Sequence, residues 1–337
     1  MDKIQQKAIE RFVAQAAGAV HVHISQVKLL SGGAVQENWL LDLLIEGGPH
    51  HGTLEAVLRC DSPTAGVAIS HGRAQEFALL NTVFEAGVTV PQPLWLCEDL
   101  TVFGRPFFLM RRICGTAAGH VLVKDQGVKN RAELARRLGQ ELARIHSVRP
   151  PNAALNFMPL HGESPAAHSV KQYRLFLDRH HTPYPALEWG LRWLERHAPP
   201  KGLLTLTHGD FRTGNYMVGE QGLTGILDWE FAGWGDPLED LGWFCAKCWR
   251  FDQNDMQAGG IGLREDFYAG YEAESRRTVD RNQIHYWEVM AHMKWAIIAI
   301  QQAERHCSGE EDSLLLALTG HIVPELEWEI LNMTEHN

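Results

Sequence analysis

His208-Gly-Asp-Phe-Arg-Thr-Gly-Asn215 is the stretch that decides how this chain of 337 residues is interpreted. It places a carboxylate, Asp210, and an amide, Asn215, five residues apart on one predicted loop. Side chains at this spacing can face the same side of a site. A carboxylate held there can accept the proton of a substrate hydroxyl, which is the role of a general base. We therefore predict that Asp210 is a catalytic base.

A β-hairpin is predicted directly after this loop. Residues 216–218 and 224–227 are apolar, β-prone runs joined by Gly219-Glu-Gln-Gly222. The hairpin would return Asp228 alongside Asn215. Oxygen ligands of this kind suit Mg²⁺, so the sequence predicts a metal site on Asn215 and Asp228. The role of Glu230 stays open between a second magnesium ion, the substrate and solvent.

Four polar residues match, in order and spacing, the H-R-D-x-x-x-x-N loop of protein kinases and the metal-binding Asp that follows it. They are Asp210, Arg212, Asn215 and Asp228. Because Gly209 replaces the Arg, the chain resembles more closely the aminoglycoside phosphotransferase family, which includes choline-kinase-like relatives. The segment Gly235-Asp-Pro-Leu-Glu-Asp-Leu241 is also similar to that family. For Arg212 the resemblance implies either γ-phosphate neutralisation or an ordinary surface contact.

The resemblance also implies where the nucleotide cofactor, ATP, would bind. Gly32, Gly33 and Asn38 lie between two predicted strands, where a glycine turn can close over phosphates. Arg59 matches the position where kinases carry a phosphate-binding Lys, and Glu76 matches its ion-pair partner. A guanidinium at this position can hold phosphate oxygens bidentately. The hinge whose backbone reads the adenine edge matches Met110, Arg111 and Ile113.

The pattern along the chain indicates two lobes. Residues 1–112 alternate short β-prone runs with turns and contain an internal helix near 72–85, which predicts a mainly antiparallel sheet. Beyond Gly115 the apolar residues recur at helical spacing. The residues between 148 and 170 are predicted to be loop. The fold class we expect is α+β, bilobal and protein-kinase-like, with a nucleotide-binding lobe at 1–112 and a larger catalytic, acceptor-binding helical lobe at 113–337.

Composition limits the partners. The chain carries 31 Lys and Arg against 41 Asp and Glu, and this net charge of −10 argues against a nucleic-acid binder. The N-terminal residues do not read as a signal peptide, and the apolar runs are far too short to span a membrane. A cytoplasmic protein is therefore expected, with its oligomeric state left open.

The function expected from these residues is ATP- and Mg²⁺-dependent transfer of phosphate to a hydroxyl of a small molecule. Two alternatives remain. The first is the branch of the same family that acts on hydroxyacyl-CoA thioesters. The second is a catalytically silent nucleotide-binding module, which the Arg in place of Lys at position 59 motivates.

Overall fold

The computed structural model describes residues 1–30, 36–61, 71–124, 128–200 and 202–335. Gly32 and Gly33 lie outside these ranges. The helices and strands follow in chain order: α1 (Lys3–Ala16), β1 (His21–Leu29), β2 (Gln36–Glu46), β3 (Gly52–Asp61), α2 (Arg73–Glu85), β4 (Pro93–Cys97), α3 (Leu100–Phe103), β5 (Phe107–Arg111), α4 (Gly119–Leu122), α5 (Arg131–Ile145), α6 (Pro165–Arg179), α7 (Pro185–Arg196), β6 (Thr205–Thr207), β7 (Tyr216–Gly219), β8 (Gly222–Ile226), β9 (Gly233–Gly235), α8 (Pro237–Cys245), α9 (Arg264–Ser275), α10 (Arg281–Cys307), α11 (Leu314–Gly320) and α12 (Val323–Thr334).

The chain forms two compact units. The first unit contains Met1–Thr116, Pro151–Phe157 and Asn215–Phe231, and the second contains Ala117–Pro150, Met158–Gly214 and Ala232–Asn337. The sequence pattern predicts a single boundary, after residue 112. The structure assigns two later segments to the first unit, and one of them is the hairpin that carries Asp228.

The first unit is built on an antiparallel sheet of five strands in the order β1-β2-β3-β5-β4. Alternate residues of β2, such as Leu41 and Leu43, are fully buried and pack in one cluster with Ile9 and Val13 of α1. This is the pattern expected of a strand with one buried face. β4 begins at Pro93 on an edge of the sheet, where the missing N–H costs no ladder hydrogen bond.

The hairpin β7–β8 also belongs to the first unit. Thr116 and Val218 exchange backbone hydrogen bonds of 3.0 Å in both directions, and the N–H of Ile226 donates to the carbonyl of Thr89 at 2.8 Å. These bonds fix the hairpin, and with it the position of Asp228, against the strands and loops of the first unit.

The second unit is mainly helical. The middle of α10 is buried against α7 and α12, in a cluster that includes Met293, Leu191 and Ile330. The strands β6 and β9 pair across Thr205–Thr207 and place the loop that begins at His208 next to the start of α8. Asp236 caps α8 by accepting from the N–H of Leu238 at 2.9 Å, and Pro237 lies in the first turn, where its missing N–H costs no helical hydrogen bond.

Two predictions about elements differ from the structure. The stretch 148–170, predicted to be loop, contains a short 3-10 helix at Ala153–Leu155 and the start of α6, which Ser164 caps through its hydroxyl. The apolar pattern from Leu314 to Leu326 predicts a single final helix, but the structure has two helices, α11 and α12, separated at His321 and Ile322. Pro324 explains the break, because proline lacks the N–H that a continuing helix requires.

The fold class agrees with expectation: a five-stranded antiparallel sheet near the N-terminus precedes a helical C-terminal region. In the part of the chain that the structure describes, no helix is long and apolar enough to cross a membrane.

Candidate functional site

The predicted base lies in a buried loop of the second unit. The Asp210 side chain accepts a hydrogen bond from the indole Nε1 of Trp243 at 2.9 Å and is contacted by Nε of Arg212 at 3.1 and 3.2 Å from its two oxygens. Its own N–H donates to Nδ1 of His208 at 3.3 Å. His208 is fully buried, as expected for a residue that supports the loop.

A second carboxylate, Asp240, holds the backbone of this loop. Its oxygens accept from the N–H of His208 at 2.7 Å and of Gly209 at 2.9 Å, and Nε2 of His146 lies 3.1 Å away. Burial raises the pKa of the Asp240 carboxyl, but the hydrogen bond and charge of His146 and the N–H of His208 outweigh it and lower the pKa overall. Asp240 is therefore held as a carboxylate that fixes the residues preceding Asp210.

The sequence does not single out Trp243 or Lys294. Lys294, on α10, donates to the carbonyl of Gly209 at 2.7 Å, and its Nζ lies 4.7 Å from the centre of the Trp243 ring. One signal was available for Trp243. It follows Asp240 by three positions on α8, and residues three apart share a helix face.

Arg212 is held from both sides. Besides contacting Asp210, its guanidinium stacks over the ring of Trp249 at 4.6 Å. Trp249 in turn packs against Trp243 and Trp295, with ring centres 5.1 and 4.9 Å apart. Trp243 thus contacts the predicted base, and Trp249 contacts its neighbouring cation. The contacts with Asp210 and Trp249 together orient the Arg212 guanidinium along the Asp210 side chain.

In the first unit, Arg59 connects the other predicted residues. Nε of Arg59 lies 2.7 Å from Oε1 of Glu76, and an Nη lies 3.7 Å from Oδ1 of Asp228. Its other Nη donates to Oδ1 of Asn38, the residue opposite it in the β2–β3 pair, at 3.4 Å. The ion pair between the third strand and the following helix, expected by analogy with the kinase Lys and Glu, is present with Arg in place of Lys.

Glu76 is shared between two arginines. Arg73, one helical turn earlier on α2, contacts the second oxygen of Glu76, and its Nε lies 3.0 Å from Asp61. Glu76 and Arg73 are both buried. A buried carboxylate needs positively charged partners, and Glu76 has two. The same network holds the Arg59 guanidinium beside Asp228.

The two predicted metal ligands also belong to the first unit. The N–H of Leu227 donates to the carbonyl of Asn215 at 2.8 Å, so the backbone beside Asp228 is tied directly to Asn215. The Asp228 side chain is 41% exposed, and its backbone adopts a left-handed conformation with φ of 64°. Such conformations are uncommon outside glycine and cluster at functional sites.

An amide and a carboxylate oxygen fit the way proteins hold Mg²⁺, which takes one or two carboxylates and completes its shell with water and phosphate oxygens. Among the described residues, no three His, Cys, Asp or Glu side chains form a metal-binding group.

The predicted adenine-reading segment lies at the end of β5. The N–H of Arg111 donates to the carbonyl of Gln92, and that of Arg112 donates to the carbonyl of Glu55. The side chain of Ile113 packs against Gly225 of the hairpin, where an added Cβ would lie 2.5 Å from it. The segment is thus anchored to the sheet and to the hairpin that carries Asp228.

The structure gathers the predicted residues into two groups. One, in the first unit, contains Asn38, Arg59, Glu76, Asn215 and Asp228, and the other, in the second unit, contains Asp210 and Arg212.

Comparison with solved structures shows the fold. The chain superposes on a protein from Ralstonia eutropha JMP134 assigned as an aminoglycoside phosphotransferase, with a TM-score of 0.77, 21% identity and 98% of each chain covered. A spectinomycin phosphotransferase solved with ADP and spectinomycin gives a TM-score of 0.62 at 14% identity over 99% of both chains. A macrolide 2′-phosphotransferase from Brachybacterium faecium gives 0.61 at 18% identity, covering 96% of this chain and 97% of that one.

Curated relatives in animals carry a different name. Acyl-CoA dehydrogenase family member 10 of Mus musculus is 28% identical over 284 residues, which are 77% of this chain and 26% of the relative. Acyl-CoA dehydrogenase family member 11 of Rattus norvegicus is 26% identical over 287 residues, 80% of this chain and 36% of the relative. The chain thus spans about a quarter to a third of the length of these two relatives.

The family model named "Phosphotransferase enzyme family" matches residues 27–278, a range that holds Arg59 and Glu76 together with Asp210, Asn215 and Asp228. Since this match extends over most of the chain, the chain belongs to the phosphotransferase enzyme family.

Proposed function

We propose that the chain uses ATP and Mg²⁺ to transfer the γ-phosphate to a hydroxyl of a small molecule. The observation that carries the proposal is the arrangement of Asp210. This carboxylate is buried in a loop fixed by Asp240, and an indole N–H and a guanidinium orient it. A residue constrained in this way is suited to receive a proton from a hydroxyl that approaches in one direction.

In the proposed reaction, Asp210 takes the proton of the acceptor hydroxyl onto a carboxylate oxygen as the hydroxyl oxygen attacks the γ-phosphorus. The bond from that phosphorus to the β–γ bridging oxygen breaks, and ADP leaves with the bonding electron pair. Arg212, beside it, offsets negative charge that develops on the transferred group. Since phosphoryl transfer depends largely on positioning and charge neutralisation, these two tasks account for most of what the second unit must supply.

The nucleotide phosphates would be held in the first unit. Arg59 presents a planar, permanently charged guanidinium that binds phosphate oxygens in pairs, and Glu76 keeps it in place. Asn215 and Asp228 would hold magnesium, which neutralises phosphate charge when bound. The backbone at residues 110–113 would meet the base.

For the acceptor, the curated relatives favour a hydroxyacyl-CoA thioester. Both relatives described above are named for acyl-CoA dehydrogenation, and this chain matches only part of their length. A phosphotransferase within a chain named for acyl-CoA chemistry is well placed to act on an acyl-CoA that carries a hydroxyl. Several structural neighbours are instead complexes with antibiotics, for example spectinomycin, so aminoglycosides are the second candidate class.

A screen of ADP release tests the activity and the acceptor together. We expect turnover with hydroxyacyl-CoA thioesters in the presence of ATP and Mg²⁺, and loss of turnover when EDTA removes the metal. The matched control is the same thioester without its hydroxyl, which should give none. Turnover with aminoglycosides alone would overturn the acceptor assignment. If the chain binds ATP but shows neither turnover with any acceptor nor slow ATP hydrolysis, the catalytically silent nucleotide-binding module is favoured.

Replacing the base tests the mechanism. Asp210→Asn keeps the shape and the acceptor atom for Trp243 but removes the proton acceptor, so kcat should fall by about 10²- to 10⁴-fold. Nucleotide binding, measured by thermal stabilisation with Mg·ATP, should persist because the proposed phosphate contacts lie on Arg59, Asn215 and Asp228. A variant with the kcat of the unmodified enzyme would contradict the assignment of Asp210.

A further inference from the structure

The indole nitrogen of Trp243 makes a hydrogen bond, whereas those of three other buried tryptophans have no partner among the described residues. Its Nε1 donates to Oδ1 of Asp210 at 2.9 Å, and the side chain is almost fully buried. By contrast, the indole nitrogens of Trp193, Trp249 and Trp287 are buried without a hydrogen-bond partner in the described part of the structure. Burial of an indole in this protein therefore does not by itself produce a paired N–H, and the Trp243 contact is specific to Asp210.

The chemistry of this contact limits what Trp243 can do. An indole N–H only donates, so it neither accepts nor relays the hydroxyl proton. What it can do is fix the torsion of the carboxylate through a charge-assisted hydrogen bond.

Lys294 reaches the same loop from α10. Its ammonium donates to the carbonyl of Gly209 and lies over the face of the Trp243 ring. Its other contact is Oε1 of Glu239 at 3.5 Å, a carboxylate whose pKa is raised by burial. One lysine thus contacts both the backbone immediately before the base and the ring that orients the base.

We propose that Trp243 and Lys294 are positioning residues for the phosphoryl transfer, acting through Asp210: the indole N–H orients the carboxylate, and the ammonium fixes the ring and the Gly209 carbonyl. This inference rests on the proposed function, because it assigns Asp210 as the base. Because both residues act through Asp210 and not through a proposed phosphate contact, their effect should fall on kcat and leave the KM for ATP unchanged.

The first test removes the N–H. Trp243→Phe deletes one hydrogen bond to a charged group, so kcat should fall about ten- to a hundredfold at constant KM for ATP. Trp193→Phe is the matched control, since it makes the same substitution at a buried indole whose nitrogen has no partner among the described residues. A similar loss of melting temperature in both variants, with kcat reduced only in Trp243→Phe, supports positioning. Equal kcat in the two variants overturns it.

The second test begins with variants that leave Trp243 in place. Lys294 is 19% exposed at its side chain, and Lys294→Met keeps most of its length while removing the ammonium. We expect a lower kcat in this variant too, partly restored in Lys294→Arg. In Lys294→Met/Trp243→Phe the effects should be less than multiplicative, because both act on one carboxylate. Fully multiplicative effects would mean that the two residues act independently and would refute the coupling.

A third variant separates this inference from the proposed function. In an Asp210→Asn background, Trp243→Phe should cause no further loss of kcat, since the base it positions is gone. If Asp210→Asn itself keeps full turnover, the proposed function fails. If Asp210→Asn is inactive while Trp243→Phe and Lys294→Met match the unmodified enzyme, the positioning role fails and the proposed function stands.

Discussion

At the scale of single residues, sequence order nominates candidate catalytic side chains but does not predict how they are held. The spacing of Asp210, Asn215 and Asp228 suffices to nominate them. The contacts from Trp243 and Lys294 were not predicted, because these residues lie 33 and 85 positions from their partners, Asp210 and Gly209, and a buried Trp is more often core than site. Local pattern carries no information on pairs so distant in sequence.

The backbone of Asp228 provides a prediction at the same scale. Its φ of 64° is tolerated by Asp and Asn but costs an alanine about 1–2 kcal/mol. Asp228→Asn should therefore leave the free energy of unfolding within about 0.5 kcal/mol. The variant loses the charge with which Asp228 would hold the metal, so turnover should fall by at least about a hundredfold, equivalent to about 2.7 kcal/mol of lost charge stabilisation.

Asp228→Ala is the companion variant, since it removes the same charge and adds the backbone strain. The two variants should then differ in the free energy of unfolding measured with urea, while their turnover should be reduced to the same extent. If Asp228→Asn retained full turnover at limiting Mg²⁺, the carboxylate would not be a metal ligand.

At the scale of elements, apolar periodicity predicts helices but not which helices meet. The recurrence of Leu134, Leu138 and Leu142 predicts α5, and the structure contains it at Arg131–Ile145. Its packing against α9 depends on glycines that periodicity ignores. A Cβ at Gly139 would lie 2.0 Å from the carbonyl oxygen of Phe267, and one at Gly270 would lie 1.9 Å from that of Arg136. The backbones are therefore in close contact at both positions.

Gly139→Ala tests this crossing. Alanine has the higher helix propensity, by about 1 kcal/mol, so an isolated helix would gain stability. Here the two backbones must separate, and we expect a net loss of about 1–3 kcal/mol in the free energy of unfolding, the usual cost of overpacking. Gly162→Ala is the control, because nothing lies within 4 Å of the Cβ it would add. A rise in the urea midpoint for Gly139→Ala would show that the helices are not held this closely.

At the scale of the whole molecule, the chain passes between its two units more often than a single boundary allows. Composition and periodicity place the change from β-rich to helical sequence near residue 112, close to Thr116, where the first segment of the first unit ends. They do not reveal that Asn215–Phe231 returns to the first unit. That assignment depends on long-range backbone bonds, such as the one from Ile226 to Thr89, which leave no local pattern in the sequence.

Truncation should expose this dependence. A fragment of residues 113–337 keeps the second unit but lacks Thr89, the acceptor for the Ile226 N–H, and Pro91, which packs beside Gly225. An isolated two-stranded hairpin is marginal in water, so the segment 215–231 should open in the fragment. Limited chymotryptic digestion, read by mass spectrometry, should then cut beside Tyr216, which is 1% exposed in the intact chain.

The internal control is α10, whose Trp287 is also 1% exposed and whose buried partners are all present in the fragment. Early cleavage at Tyr216 with Trp287 protected would mean that the hairpin needs the first unit in order to fold. Simultaneous cleavage at both residues would mean that the second unit as a whole requires the first. Equal protection of Tyr216 in the fragment and the intact chain would contradict the assignment of the hairpin to the first unit. The proposed metal ligand Asp228 would then belong, with Asp210, to a helical domain that folds by itself.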